Sequence, residues 1–200
     1  MTRSSVLAIG PFIVSLIACV PPASAQTVAG NEWNHGTTLG VFAGSATASP
    51  ETRGTLGAAL GWEINHRVEL EGTGAWLVAR QGDEAFAAEL KVLANLTRPN
   101  TVVPFLGVGV GMYRAWFDAT SGALPGFYQR RLVGSLSGTR QSFTDPSVVV
   151  AGGFDIFAGR HFSIRPDLSV RLVTRASDTY AVTMATVHAT YHFEVHDATR

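Results

Sequence analysis

Cysteine is nearly missing from this 200-residue chain: the only one, Cys19, lies inside an N-terminal apolar stretch. A product beginning after Ala25 therefore has no cysteine, which excludes disulfides and thiolate-based metal sites. Charge is scarce as well. Lys and Arg (15) balance Asp and Glu (15), so the basic patch or stripe of a nucleic-acid-binding protein is not expected. Long apolar runs are also lacking after residue 25. Although 46% of residues are hydrophobic, no mature segment has 18 uninterrupted apolar residues, which argues against a membrane-spanning helix there. No stretch shows a convincing helical period.

The first 25 residues do carry a pattern. Arg3 supplies a short positive start, Val6 to Val20 is almost wholly apolar, and Ala23-Ser24-Ala25 offers a small-x-small cleavage site before Gln26. Residues 1–25 are accordingly read as an export signal peptide and 26–200 as one domain. An uncleaved N-terminal anchor is the plainer alternative, disfavoured because the apolar run is short. Leu16-Ile17-Ala18-Cys19 also resembles a lipobox, in which Cys19 would be lipidated and become the first mature residue.

The most informative stretch is Phe162 to Leu172, F-S-I-R-P-D-L-S-V-R-L. Every second residue is apolar, and those between are polar. Period two marks a β-strand with one greasy face and one wet face, and eleven residues is enough for a tilted strand to cross a bilayer. Similar segments recur at 37–47, 55–64, 68–78, 86–96, 103–117, 147–157 and 180–193, so that with 162–173 eight strands are expected. An even number of antiparallel strands can close into an up-and-down barrel without exposed edges. Short turns at 65–67, 97–102 and 158–161 alternate with longer links at 48–54, 79–85, 118–146 and 174–179. That alternation fits an outer-membrane barrel with short turns on one rim and longer loops on the other.

Alternation alone leaves open a lipocalin-like soluble barrel, whose apolar face would line a ligand cavity. Three features favour the membrane version. Aromatics gather near strand ends, with Trp62, Phe154, Phe162, Tyr191 and Phe193 on one rim and Trp76 and Trp116 on the other, as interfacial belts require. The polar face carries small residues such as Gly57, Ala59 and Gly61, which suit a cramped lumen. The export signal sends the chain to the right compartment. In that orientation Glu63, Glu69, Glu71, Glu89, Asp155 and Asp167 face Lys91, Arg165 and Arg171 in the lumen, where opposite charges should pair and close it. Arg114 shares the parity of Leu106, Val108, Val110 and Met112 and is expected to point outward near a rim.

The segments Gly61 to Gly72, Val103 to Gly111, and Ala151 to Asp167 give the chain its family likeness. It resembles the small outer-membrane β-barrel proteins related to the N-terminal domain of outer-membrane protein A. The resemblance covers essentially the whole mature chain and implies membrane anchoring, surface exposure and sometimes adhesion. It supplies no catalytic residues to carry over. Such barrels usually end on an aromatic residue used in assembly, whereas here Glu194 to Arg200 follow Phe193.

Gly107, Gly109 and Gly111 alternate with valine but lead into no helix, so a phosphate loop is disfavoured against glycines in a crowded lumen. His188 and His192 share a strand face about 13 Å apart, too far to hold one ion unaided. Glu69 and Glu71, about 7 Å apart, could suggest a two-carboxylate hydrolase, but pairing with Arg165 or Arg171 explains them more simply. A lipid-modifying barrel enzyme would need Ser, His and an acid together on an outward face, and no such set is evident. Arg130 and Arg131 could meet lipopolysaccharide phosphates, though a solvated loop is the simpler reading.

The expectation is therefore an all-β, eight-stranded antiparallel transmembrane barrel in the bacterial outer membrane, non-enzymatic, with a structural or surface-interaction role. No catalytic, cofactor or metal residue is assigned. The expected partners are outer-membrane lipid, lipopolysaccharide and the barrel-assembly machinery, with the 118–146 loop free to meet a surface ligand, and the chain is expected to be a monomer. The alternatives are a soluble or lipid-anchored periplasmic barrel binding an apolar ligand, and a lipid-modifying barrel enzyme.

Overall fold

A computed structural model describes residues 36–48, 51–80, 83–98, 100–118, 140–159, 161–175 and 178–193. The export-signal segment and its Cys19, the loop arginines Arg130 and Arg131, and the 194–200 tail lie outside them. The described strands are β1 (Thr37–Ala48), β2 (Glu51–Asn65), β3 (Val68–Arg80), β4 (Asp83–Asn95), β5 (Val102–Asp118), β6 (Arg140–Phe157), β7 (Phe162–Arg175) and β8 (Asp178–His192). Each pairs antiparallel with its sequence neighbours, and β8 returns to β1, so the sheet closes in the order β1 to β8. Closure leaves no free edge around the body of the barrel. Both ends of the described chain, with the turns that join β2 to β3, β4 to β5 and β6 to β7, define one rim, here the terminal rim. The other is the loop rim.

All eight expected strands form, but four of the expected links are shorter. Ala48 still pairs with Glu51, Arg80 with Asp83, and Arg175 with Asp178, so the links at 48–54, 79–85 and 174–179 shrink to two residues each between strands. The 118–146 link contracts to 119–139, because Asp118 pairs with Arg140 and the ladder continues through Met112–Pro146. Strand pairing outlasts the apolar alternation because the ladder is made of backbone groups, which pair whatever side chains they carry. Between Arg140 and Pro146, β6 pairs with β5, and its pairing with β7 begins at Ser147. Pro146, which has no N–H to donate, sits where that second ladder begins.

The greasy face looks outward. Leu39, Val41, Leu60, Trp62, Leu90, Leu106, Val108, Val110, Val150, Leu168 and Val187 are all exposed, whereas their strand neighbours of opposite parity turn inward. On β5 the outward apolar series runs from Val102 to Met112. Ten steps at about 3.3 Å and a tilt near 40° give about 25 Å of height, which matches the apolar band of an outer-membrane barrel.

Nearer the loop rim the pattern inverts. Outward positions become Thr47, Thr52, Arg114, Ser142, Thr144, Thr174, Thr179 and Thr183, interrupted by Trp116, Val78 and Ala181. Inward positions become apolar: Ala46, Leu77, Ala85, Tyr113, Ala115, Phe117, Val173, Val182 and Met184 belong to one buried cluster. The barrel is thus greasy outside and charged inside toward the terminal rim, and polar outside and greasy inside toward the loop rim. The first arrangement suits lipid, the second water.

Small inward residues make the interior narrow enough to fill. A Cβ on Gly57 would collide with the Phe42 ring and the Gly74 carbonyl, and one on Gly61 with the Glu69 carboxylate and the Thr38 hydroxyl. These positions need glycine because a bulky neighbour already occupies the space.

Candidate functional site

Period two fixes which β7 side chains point inward, and three of its inward residues are arginines set at successive heights. Arg165, nearest the terminal rim, is fully enclosed. Its guanidinium donates through Nε to Asp155 Oδ1 at 2.7 Å, through Nη1 to Glu71 Oε2 at 2.6 Å and through Nη2 to Glu69 Oε2 at 3.0 Å. Lys91 Nζ meets the other oxygen of Glu71 at 2.8 Å, and Thr38 donates to the other oxygen of Glu69 at 2.8 Å. Midway, Arg171 pairs with Glu89 at 2.6 Å and approaches Met184 Sδ at 3.3 Å. At the loop rim Arg175 meets Asp145 at 2.9 Å. Each guanidinium also lies over an aromatic ring, Phe105 at 5.1 Å, Tyr113 at 6.0 Å and Phe143 at 4.4 Å respectively. Three planar cations spread over hydrogen bonds and ring faces thus brace the barrel from within.

The lumen assignment holds for every charged residue it named. Glu63, Glu69, Glu71, Lys91, Asp155, Asp167, Arg165 and Arg171 are buried, with Glu89 half-buried. Glu69 and Glu71 both find Arg165, one of the two partners foreseen. Gly107, Gly109 and Gly111 lie on the inward face, against Leu93, Lys91 and Glu89. Arg114 points outward, as its parity predicts, with its guanidinium 5.0 Å from the centre of the Trp116 ring.

Sequence reasoning missed Asp145 and Arg175, the apolar cluster of the loop-rim half, and one further arrangement. His192 places Nε2 3.0 Å from Ser163 Oγ and Nδ1 3.1 Å from Glu63 Oε1, the order of contacts found in a nucleophile–base–acid triad. Its sequence signal is weak, because period two turns all three side chains inward, away from the outward face that a lipid-modifying site would use. Burial decides what this set can do. Ser163 has no exposed surface, and its hydroxyl is also 3.4 Å from Asp155, to which it can donate. The nearby mouth, about 280 Å³ including space open to solvent, is lined by Glu63, His66, Glu69, Asp155, Arg165 and His192 and has room for about one water. A scissile ester could not reach Ser163 there. His188 stands apart: it stacks on Phe42 with ring centroids 4.5 Å apart and keeps Nε2 3.1 Å from Thr186. Among the described residues, no three His, Cys, Asp or Glu side chains are grouped to hold a metal ion.

A closed antiparallel barrel with an apolar exterior band and an ion-paired interior is an integral membrane β-barrel; among the described residues no helix is long and apolar enough to cross a membrane. Residues 12–193 match the model of the outer membrane protein beta-barrel domain family, and the chain belongs to that family. Solved structures share the fold. Neisserial surface protein A aligns at a TM-score of 0.58 and 11% identity, covering 80% of this chain and 97% of that one. The N-terminal β-barrel domain of Pseudomonas aeruginosa OprF gives 0.57 and 11%, covering 80% and 99%. The outer membrane enzyme PagL is also matched, at a TM-score of 0.45 and 10% identity over 76% and 97%. No curated protein matches the chain.

Proposed function

We propose that this protein is a non-enzymatic outer-membrane barrel whose role is structural or lies in surface interaction, with its lumen sealed against solutes. The observation that carries this reading is the Arg165 network. Three carboxylates converge on one fully enclosed guanidinium, with Lys91 beside them, and the ion pairs fill the section a solute would have to cross. The apolar cluster toward the loop rim adds a second closure in series. No catalytic, cofactor or metal role is assigned to any residue, and the buried Ser163–His192–Glu63 set serves the packing of the terminal rim.

On this reading residues 1–25 direct export and are removed after Ala25. The barrel-assembly machinery inserts the mature chain as a monomer. The terminal rim then faces the periplasm and the rim carrying the long 119–139 link the exterior, the usual sense of such barrels. The chain between β5 and β6, residues 119–139, is the longest link at the loop rim and is the segment offered to a surface ligand.

Reconstitution tests the seal. Purified full-length protein in planar bilayers should give no stepwise conductance, while migrating differently on gels before and after boiling. Steady channels of defined size would overturn the sealed lumen. Removal or transfer of acyl chains when the barrel is incubated with lipopolysaccharide, abolished in Ser163→Ala, would overturn the non-enzymatic reading.

A further inference from the structure

The only outward-facing Arg or Lys whose side chain is described within the strands is Arg114, and its surroundings differ from those of the lumen cations. It follows Leu106, Val108, Val110 and Met112 on the lipid-facing side of β5, at the level where the exterior turns from apolar to polar. Its guanidinium lies 5.0 Å from the centre of the Trp116 ring. Trp116 stacks on Trp76 at 5.8 Å, and Trp76 meets Phe86 at 6.2 Å, so three rings from β3, β4 and β5 form a ledge on the outer wall. Thr144, opposite Arg114 on β6, and Ser142, opposite Trp116, are exposed and add hydroxyls. Among the described residues no carboxylate forms an ion pair with Arg114, while Glu84, opposite Trp116 on β4, has contacts of its own.

From this geometry we infer that Arg114 and its aromatic ledge form a binding site for the phosphate of a phosphorylated glycolipid in the outer leaflet. The inference rests on the membrane-barrel reading and its orientation. A guanidinium offers paired N–H donors that match phosphate oxygens, and its charge is worth most where lipid lowers the dielectric. The Trp116 face holds the guanidinium at the rim, leaving its edges for the anion. Below it, Trp76 and Phe86 present flat apolar surface to sugar rings and the first methylenes of acyl chains. A soluble anion would gain the charge contact but not this apolar floor, which is why a lipid is the fitting ligand.

Native mass spectrometry of the full-length, detergent-solubilised barrel, titrated with bisphosphorylated lipid A and with its dephosphorylated form, reads this directly. The wild type should bind the phosphorylated lipid about tenfold more tightly than the dephosphorylated one, a difference of about 1.4 kcal/mol. Arg114→Gln should lose that preference and Arg114→Lys should keep part of it, because the charge remains without the fork. Equal preference in wild type and Arg114→Gln would overturn the site. So would displacement of the lipid by millimolar inorganic phosphate, which would mark a site for free anions. Boiling-dependent gel migration separates the two failures. A barrel that shifts normally but ignores Arg114→Gln refutes only the lipid site, whereas a chain that never inserts refutes the membrane reading beneath it.

Discussion

The two halves of the lumen are filled by opposite means. Toward the terminal rim, Arg165 gathers Glu69, Glu71 and Asp155 while Lys91 covers the far side of Glu71. Toward the loop rim, Leu77, Tyr113, Phe117, Val173 and Val182 pack as an apolar core. The exterior changes in the opposite sense at about the same height, from Leu and Val to Thr and Ser. The pairing follows from solvent. A wall facing lipid uses its apolar residues outside, which leaves the alternate positions to polar groups that must satisfy one another. A wall facing water can turn the same alternation around and build an ordinary core. Buried ions hold geometry through direction and charge, apolar residues through volume, so the halves should fail differently when altered.

The largest effect is expected from Arg165→Met. Removing the cation leaves three buried carboxylates facing one another, and losing one partner of a buried ion pair costs about 3–5 kcal/mol. Urea unfolding of the barrel in lipid vesicles should show the loss, and a stability equal to wild type would mean that the network is dispensable. In the other half, Leu77→Ala should cost about 2–5 kcal/mol through the cavity it leaves. The same unfolding assay checks it, and a loss under about 0.5 kcal/mol would show that the loop-rim cluster is loosely packed.

A paired substitution sharpens the contrast on the outside. Val108→Lys, within the apolar band, should destabilise by about 2–4 kcal/mol, whereas Thr174→Lys, above it, should cost about 0–1 kcal/mol. Equal costs at the two positions would mean that the outer wall does not pass from lipid to water between them. The smallest change is expected for Arg175→Gln. Its side chain is 30% exposed at the loop rim although Asp145 is only 5% exposed, so the pair is partly screened, and with the Gln amide still able to donate the loss should be about 1 kcal/mol. A loss approaching that of Arg165→Met would mean that the loop-rim end is braced electrostatically too.

Much of this comparison was legible in the residues alone, and the reason is geometric. In a strand, parity assigns each side chain to a face without knowledge of any partner, so spacing puts Glu69, Glu71, Lys91, Asp155, Arg165 and Arg171 on the face opposite to Val108, and the aromatic strand ends then turn Val108 outward. Partners were less legible. Arg165 lies 94 residues from Glu71 and 96 from Glu69, and His192 lies 129 from Glu63. Pairings at such separations depend on barrel closure and on the heights at which strands cross, which no local pattern encodes. Strand ends were misjudged for a related reason. Ala46, Thr47, Thr52 and Arg53 show little hydrophobic contrast, yet their backbones remain laddered.

The sequence by itself determined the number of strands and which residues share a face, because both follow from a period of two repeated eight times, while contact with lipid followed from the aromatic strand ends, the small residues of the polar face and the export signal. Only the tertiary structure decided which carboxylates share Arg165, where the greasy side passes from the outer wall to the interior, and that Ser163 is fully buried. Those depend on bringing distant strands to a common height around a closed circumference, where burial and mutual distance acquire values that a linear pattern does not contain.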